Sequence, residues 1–209
     1  MRKHFGWTLA LALMLALTAV AASAQQALTL EDNGDNTPGA KIGQTIADFT
    51  LTDVNGEKRS LNSLKGEHGT VLIFISTQCP VSNGYNDRMA KLAADFATLG
   101  VNVIGINSNA PESVEEIKKH AAEHRLAFTI LKDKGNKIAD LLGAQHTPEA
   151  YLLDPSNKLV YRGGIDNSRN GQSISGNYLR DAMEQVRLGK LVTRPRALAF
   201  GCSIKKVAE

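Results

Sequence analysis

The chain has 209 residues, 43% of them hydrophobic and 22% charged, with a formal net charge of +3. That length supports one domain with a real core plus modest extensions, and 24 basic against 21 acidic side chains leave no basic surface that calls for nucleic acid or an anionic membrane. No nucleotide, haem or metal signature is present, so no cofactor is expected.

Residues 1–24 read as a secretory signal: Arg2 and Lys3 lead, an apolar stretch runs from Leu9 to Val20, and Ala22-Ser23-Ala24 supplies small residues for cleavage. The stretch falls short of the ~20 residues that span a bilayer, so no stable membrane insertion is expected after cleavage. Export would place the chain in the periplasm or outside the cell, where disulfides persist. Arg2 and Lys3 carry two of the three net positive charges, which leaves the exported chain near neutral.

Residues 25–41 contain the polar, turn-rich run from Glu31 to Gly39 and read as a flexible lead-in. The domain proper is expected over 42–190. It opens with two short runs between Phe49 and Leu61, around Asp53-Val54-Asn55-Gly56, the pattern of a hairpin that covers the edge of a larger sheet. Strands and helices then alternate: strand 71–76, helix 81–99, strand 101–106, helix 111–125, strand 128–131 and short helix 137–142. This alternation implies a central sheet with parallel strands and helices on both faces.

Met89, Leu92, Ala93, Phe96 and Leu99 keep helical spacing, and Gly100 stops that helix. Asn107, Ser108 and Asn109 are candidate caps for the helix after Pro111. Strands 150–153 and 159–161 flank Asp154-Pro155-Ser156-Asn157 as an antiparallel hairpin. A polar loop through Gly176 and a helix over about 178–188 complete an α/β fold with a central mixed sheet. Residues 191–209 form a C-terminal tail that carries Cys202.

Cys79 ends the apolar run Val71 to Ile75 and precedes Pro80 and the long helical pattern. A thiol at a strand-to-helix junction sits beside unpaired N–H groups and the positive end of a helix dipole, which favour the thiolate. Cys79-Pro80-Val81-Ser82 has the spacing of a Cys-x-x-Cys redox turn with a hydroxyl in place of the second sulfur. Ser82 cannot resolve a mixed disulfide, but its hydroxyl is placed to donate to the thiolate, and Pro80 suits the first helical position. The competing readings of Cys79 are an inert, buried packing cysteine and a structural bridge to Cys202.

These residues resemble the thioredoxin-like superfamily, and within it the exported redoxins related to peroxiredoxins, with a domain like that of the alkyl hydroperoxide reductase and thiol-specific antioxidant proteins. The resemblance spans about Ile42 to Leu188 and rests on Asp48 to Asp53 with Asn55-Gly56 and Leu64-Lys65-Gly66, on Ser76-Thr77-Gln78-Cys79-Pro80, and on Gly143 to Pro148. It implies a thioredoxin-like fold and a thiol-dependent oxidoreductase, acting on protein thiols and disulfides or on peroxide and restored by an external reductant. It also implies a cis Thr147-Pro148 bond facing Cys79, beside an edge where an extended partner peptide pairs.

The chain departs from both parent patterns. A dithiol thioredoxin carries a second cysteine where Ser82 stands; a peroxiredoxin pattern places a hydroxyl at Ser76 but a proline where this chain has Leu72. No arginine lies near Thr147, with Arg88 and Arg162 as the available substitutes. Cys202 is placed like a C-terminal resolving cysteine. Three functions therefore stand side by side: disulfide exchange, thiol peroxidase activity, and a non-catalytic binding module stapled by Cys79 and Cys202.

Other signals are weaker. His120 and His124 stand four apart on a helix and could share a metal ion, but Lys118, Lys119, Glu123 and Arg125 around them fit a solvated face. His146 either tunes the Cys79 thiolate or is a surface loop residue. Tyr85 and Asn86 line the pocket, or Tyr85 packs against the hairpin. The only tryptophan, Trp7, lies in the expected signal, so the aromatic residue that often precedes a thioredoxin site is absent.

Overall fold

Val71, Leu72, Ile73 and Phe74 are fully buried because they form the middle of a strand covered on both faces. The computed structural model describes residues 38–207; the expected signal over 1–24 and most of the expected lead-in lie outside the described residues. In chain order the elements are β1 (Thr50–Asp53), β2 (Lys58–Ser60), α1 (Leu61–Leu64), β3 (Gly69–Phe74), α2 (Pro80–Asn83), α3 (Asn86–Ala97), β4 (Val101–Asn107) and α4 (Val114–Glu123). Then come β5 (Thr129–Lys132), α5 (Lys137–Leu142), β6 (His146–Thr147), β7 (Glu149–Leu153), β8 (Leu159–Gly163), α6 (Tyr178–Arg187) and β9 (Cys202–Ser203).

The main sheet has the order β2-β1-β5-β4-β3-β7-β8. Its centre, β3 with β4 and β4 with β5, is parallel, and the flanking pairs are antiparallel, so the sheet is mixed as the sequence predicts. Alternate residues of β3 divide the core. Val71 and Ile73 join Met89, Leu92 and Phe96 of α3 and Leu179 and Met183 of α6. Leu72 and Phe74 join Leu61 of α1 and Ile138 and Leu142 of α5. Each such fully buried side chain contributes about 1.5–3 kcal/mol relative to exposure, and helices on both faces are what make a continuous apolar strand stable. This is the thioredoxin-like arrangement.

The N-terminal hairpin covers the β5 edge by pairing with it, through Thr52 against Lys132 and Asp53 against Leu131, and so lengthens the sheet. Its turn is tied by Asp53, whose carboxylate accepts the N–H groups of Asn55 and Glu57 at 2.8 and 2.9 Å. Several boundaries differ from the sequence pattern. The helix expected over 81–99 is two helices, α2 and α3, interrupted at Gly84 and Tyr85. Gly84 is a poor helix former; Tyr85 is buried and its hydroxyl donates to Asp166 at 3.2 Å, with the Arg88 guanidinium 3.5 Å from its ring centre. It therefore anchors the loop after β8 while sharing a core cluster with Ala150, Leu152 and Tyr161 of the β7–β8 hairpin.

The helix expected from residue 111 starts at Val114, because Ser113 and Glu116 form a reciprocal capping box. Asn107, Ser108 and Asn109 consequently do not cap it. β3 ends at Phe74, two residues short of the expected Ser76, which leaves residues 75–78 free to build a loop around Cys79.

Candidate active site

Cys79 is the residue that opens α2, with Pro80 in the first helical position. Only 3% exposed, it forms a disulfide with Cys202, the two Cα atoms lying 5.9 Å apart. Its sulfur accepts the backbone N–H of Ser82 at 3.3 Å and lies 3.3 Å from the carbonyl oxygen of Thr147. The Thr147-Pro148 bond is cis. The Ser82 hydroxyl does not reach the sulfur as the sequence suggested; it accepts the N–H of Ser76 at 3.1 Å instead. A four-residue helix has little macrodipole of its own, and the backbone N–H that reaches the sulfur is that of Ser82.

Ser76 faces the backbone of the cysteine loop. Its hydroxyl oxygen accepts the N–H of Cys79 at 3.0 Å and of Gln78 at 3.2 Å, and it donates to the carboxylate of Glu112. Glu112, 2% exposed, also accepts the N–H of Thr77 at 2.8 Å and the amide of Asn107 at 2.5 Å. Behind it the ammonium of Lys132 donates to Asn107 Oδ1, Asn109 O and Glu112 O at 2.9, 2.6 and 2.8 Å. Burial lowers the Lys132 pKa, and the nearby charges of Glu112 and Asp133 oppose that shift. A buried polar network of this kind is stable only when every member is paired, and it holds the cysteine loop in one shape.

A second buried set holds the opposite wall. Glu149, next to the cis proline, accepts the N–H groups of Gln145 and His146 at 2.9 and 3.2 Å and the Tyr151 hydroxyl at 2.9 Å. Arg162 lies 3.6 Å from that carboxylate and donates to Tyr151 and to the carbonyls of Pro38, Ala40 and Gly143. Burial, together with the Glu149 charge, raises the Tyr151 pKa and keeps its hydroxyl a donor. Arg88 pairs with Asp166. Neither arginine is bonded to Cys79 in the described residues, so neither takes the place of a sulfur-facing arginine.

The tail is docked rather than separate. Segment 195–197 bonds along β8, with Arg162 N–H to Pro195 O at 3.0 Å and Ala197 N–H to Arg162 O at 3.2 Å. β9 then pairs antiparallel with β6, Cys202 opposite Thr147 and Ser203 opposite His146. This pairing puts Cys202, partly exposed, against Cys79.

The structure thus brings together Cys79, Cys202, Ser76, Pro80, Ser82, Thr147 and Pro148. His146 contributes its backbone to the β6 edge. The ring of His120 is engaged by the amide of Asn86 at 3.0 Å and lies 4.3 Å from that of His124, so Asn86 faces α4 rather than the site. Sequence reasoning missed Glu112, Lys132 and Glu149. The one local hint was a lysine ending an apolar strand; nothing local distinguishes Glu112 from a solvated helix-start carboxylate.

The profile described as the AhpC/TSA family matches residues 42–162. The thiol-disulfide oxidoreductase ResA of Halalkalibacterium halodurans is 30% identical over 128 residues, covering 60% of this chain and 71% of that protein. The chloroplastic peroxiredoxin Q of Populus jackii is 33% identical over 137 residues, covering 60% of this chain and 63% of its own length. Among solved structures, a hypothetical protein from Sinorhizobium meliloti 1021 superimposes with a TM-score of 0.76 at 32% identity, over 82% of this chain and 97% of that one.

Proposed function

Because this chain belongs to the AhpC/TSA family, we propose that it is an exported thiol-dependent oxidoreductase that exchanges disulfides, with Cys79 as nucleophile and Cys202 as resolving thiol. The observation that carries this reading is the Cys79–Cys202 disulfide beside the Thr147-Pro148 turn, its inner sulfur held by the Ser82 N–H and its outer cysteine partly exposed. The leader pattern of residues 1–24 and a disulfide that needs an oxidising compartment support export.

A dithiol reductant attacks the Cys202 sulfur. The S–S bond breaks, its electron pair stays on Cys79 as thiolate, and the reductant's second thiol frees Cys202. Cys79 then attacks a substrate disulfide, bonding one sulfur while the other leaves as a thiolate and takes a proton from water. Cys202 thiolate attacks Cys79, restores the internal disulfide and releases the second substrate thiol. Two electrons pass from reductant to substrate in each turn.

Three features favour disulfide exchange over peroxide reduction: the Ser76 hydroxyl is bonded to Glu112 and to backbone N–H groups, Leu72 stands in the proline slot, and Arg88 and Arg162 are held by Asp166 and Glu149. The test is reduction of a model protein disulfide by the pre-reduced chain. Wild type should release two thiols per chain and Cys79→Ser none; activity retained by Cys79→Ser would sink the reading. Oxidation of Cys79 by hydrogen peroxide far faster than by disulfides would replace it with a thiol peroxidase.

A further inference from the structure

The edge of β6 beside Pro148 is already occupied, and by the chain itself. Cys202 and Ser203 pair with Thr147 and His146, and Ile204 N–H continues the ladder to Gln145 O at 2.9 Å. Ile204 is 7% exposed and joins the core cluster that holds Ile138, Leu142 and Ala144. Beyond it, Lys205 O accepts the N–H of Ala110 at 2.8 Å, Lys205 N–H donates to Asn109 at 2.9 Å, and Val207 N–H donates to Asn136 at 2.9 Å.

The fit leaves no room for variation at one point. A Cβ on Gly201 would meet the Thr147 carbonyl oxygen at 2.0 Å. An extended strand, a cysteine at the sulfur, a glycine before it and a buried aliphatic residue two after it are the features by which sheet-edge sites recognise peptides: main-chain bonds for affinity, alternate side chains for specificity.

Resting on the disulfide-exchange reading above, we propose that residues 201–205 occupy the protein-substrate site of this enzyme, and that the substrate is an extended protein segment of the form Gly-Cys-x-aliphatic. In the oxidised state the tail closes this edge to partners. Reduction of Cys79–Cys202 removes the covalent latch, and a partner segment then takes the tail's register and presents its disulfide to Cys79. When Cys202 returns to attack Cys79, the tail reclaims the same main-chain bonds. Resolution of the mixed disulfide and expulsion of the reduced partner are therefore one event.

The test uses the full chain with Cys202→Ser, reduced, against peptides whose cysteine is capped by a chromophoric thiol leaving group. One peptide carries the chain's own sequence from Phe200 to Lys206; a second carries Asp at the isoleucine position; the glutathione adduct of the same leaving group is the small disulfide. The aliphatic peptide should react about tenfold or more faster than the Asp peptide, since burial of one such side chain is worth at least that factor. Adding Ile204→Asp, or the milder Ile204→Ala, should raise the ratio of peptide rate to glutathione rate several-fold by loosening the tail. Equal rates for the two peptides, or a ratio unmoved by both tail variants, would overturn the proposal while leaving disulfide exchange intact. No reaction with either peptide or with the glutathione adduct would remove the exchange reading and this inference together.

Discussion

A Cβ placed on Gly201 would lie 2.0 Å from the carbonyl oxygen of Thr147, so the tail reaches Cys79 only because the residue before Cys202 has no side chain. Gly201→Ala must therefore push β9 off β6 and weaken the clamp on the disulfide. We expect the Cys79–Cys202 bond to become easier to reduce by a factor of about ten, equivalent to roughly 30 mV for a two-electron couple. Equilibration in glutathione buffers measures this, and an unchanged midpoint would show that the close approach carries no energy.

Glu112→Gln keeps the shape of the buried carboxylate but removes an acceptor from a group that binds Ser76, Thr77 and Asn107 together. Leaving a buried N–H unpaired costs about 1–3 kcal/mol. Denaturant unfolding should show a loss of about 2 kcal/mol, and the cysteine loop should lose order, slowing attack by Cys79. A variant as stable and as fast as wild type would mean the network is dispensable.

The Thr147 hydroxyl oxygen is buried and has no hydrogen-bond partner among the described residues. Its replacement in Thr147→Val preserves volume and deletes an unpaired polar group, which is neutral to stabilising. Stability of the oxidised protein should change by less than about 1 kcal/mol, toward greater stability. A larger loss in the unfolding midpoint would show that this hydroxyl is paired in solution.

His120 sits half-buried on α4, where Asn86 donates to its Nε2, a bond that asks for the unprotonated ring nitrogen. Burial lowers its pKa from 6.5, the neighbouring His124 adds to the shift, and Glu112 and Glu123 oppose it. The folded state then binds fewer protons than the unfolded chain, so the contribution is fully present above pH about 6.5 and is lost as pH falls through the lower folded value. Unfolding free energy should decline across that window, and His120→Gln should flatten the decline. An identical slope in the variant would assign the pH dependence elsewhere.

Much of the architecture was readable along the chain because it depends on neighbours in sequence. The alternation of apolar runs with helical spacing predicts β3, β4, β5 and the helices between them, and the Asp53 to Gly56 turn predicts the first hairpin. Cys79 stands in a recognisable local context, and the resemblance to the redoxins pointed to the Thr147-Pro148 pair, so both walls of the candidate site could be named in advance. Errors came where a distant partner overrode a local pattern. The helix over 81–99 divides because Tyr85 reaches Asp166, and Ser82 turns its hydroxyl to Ser76 rather than to sulfur.

Sequence by itself determined that Cys79 would stand between a strand and a helix and what kind of sheet would hold it, since strand period, helix period and a proline after a cysteine are short-range facts. Only the tertiary structure decided that Glu112, Lys132 and Glu149 surround the site, that Arg88 and Arg162 do not face the sulfur, and that the tail lies paired along β6. Those outcomes depend on which buried charges find partners across the fold and on how closely two backbones approach. Both are set by packing between residues far apart in the chain, which no local pattern encodes.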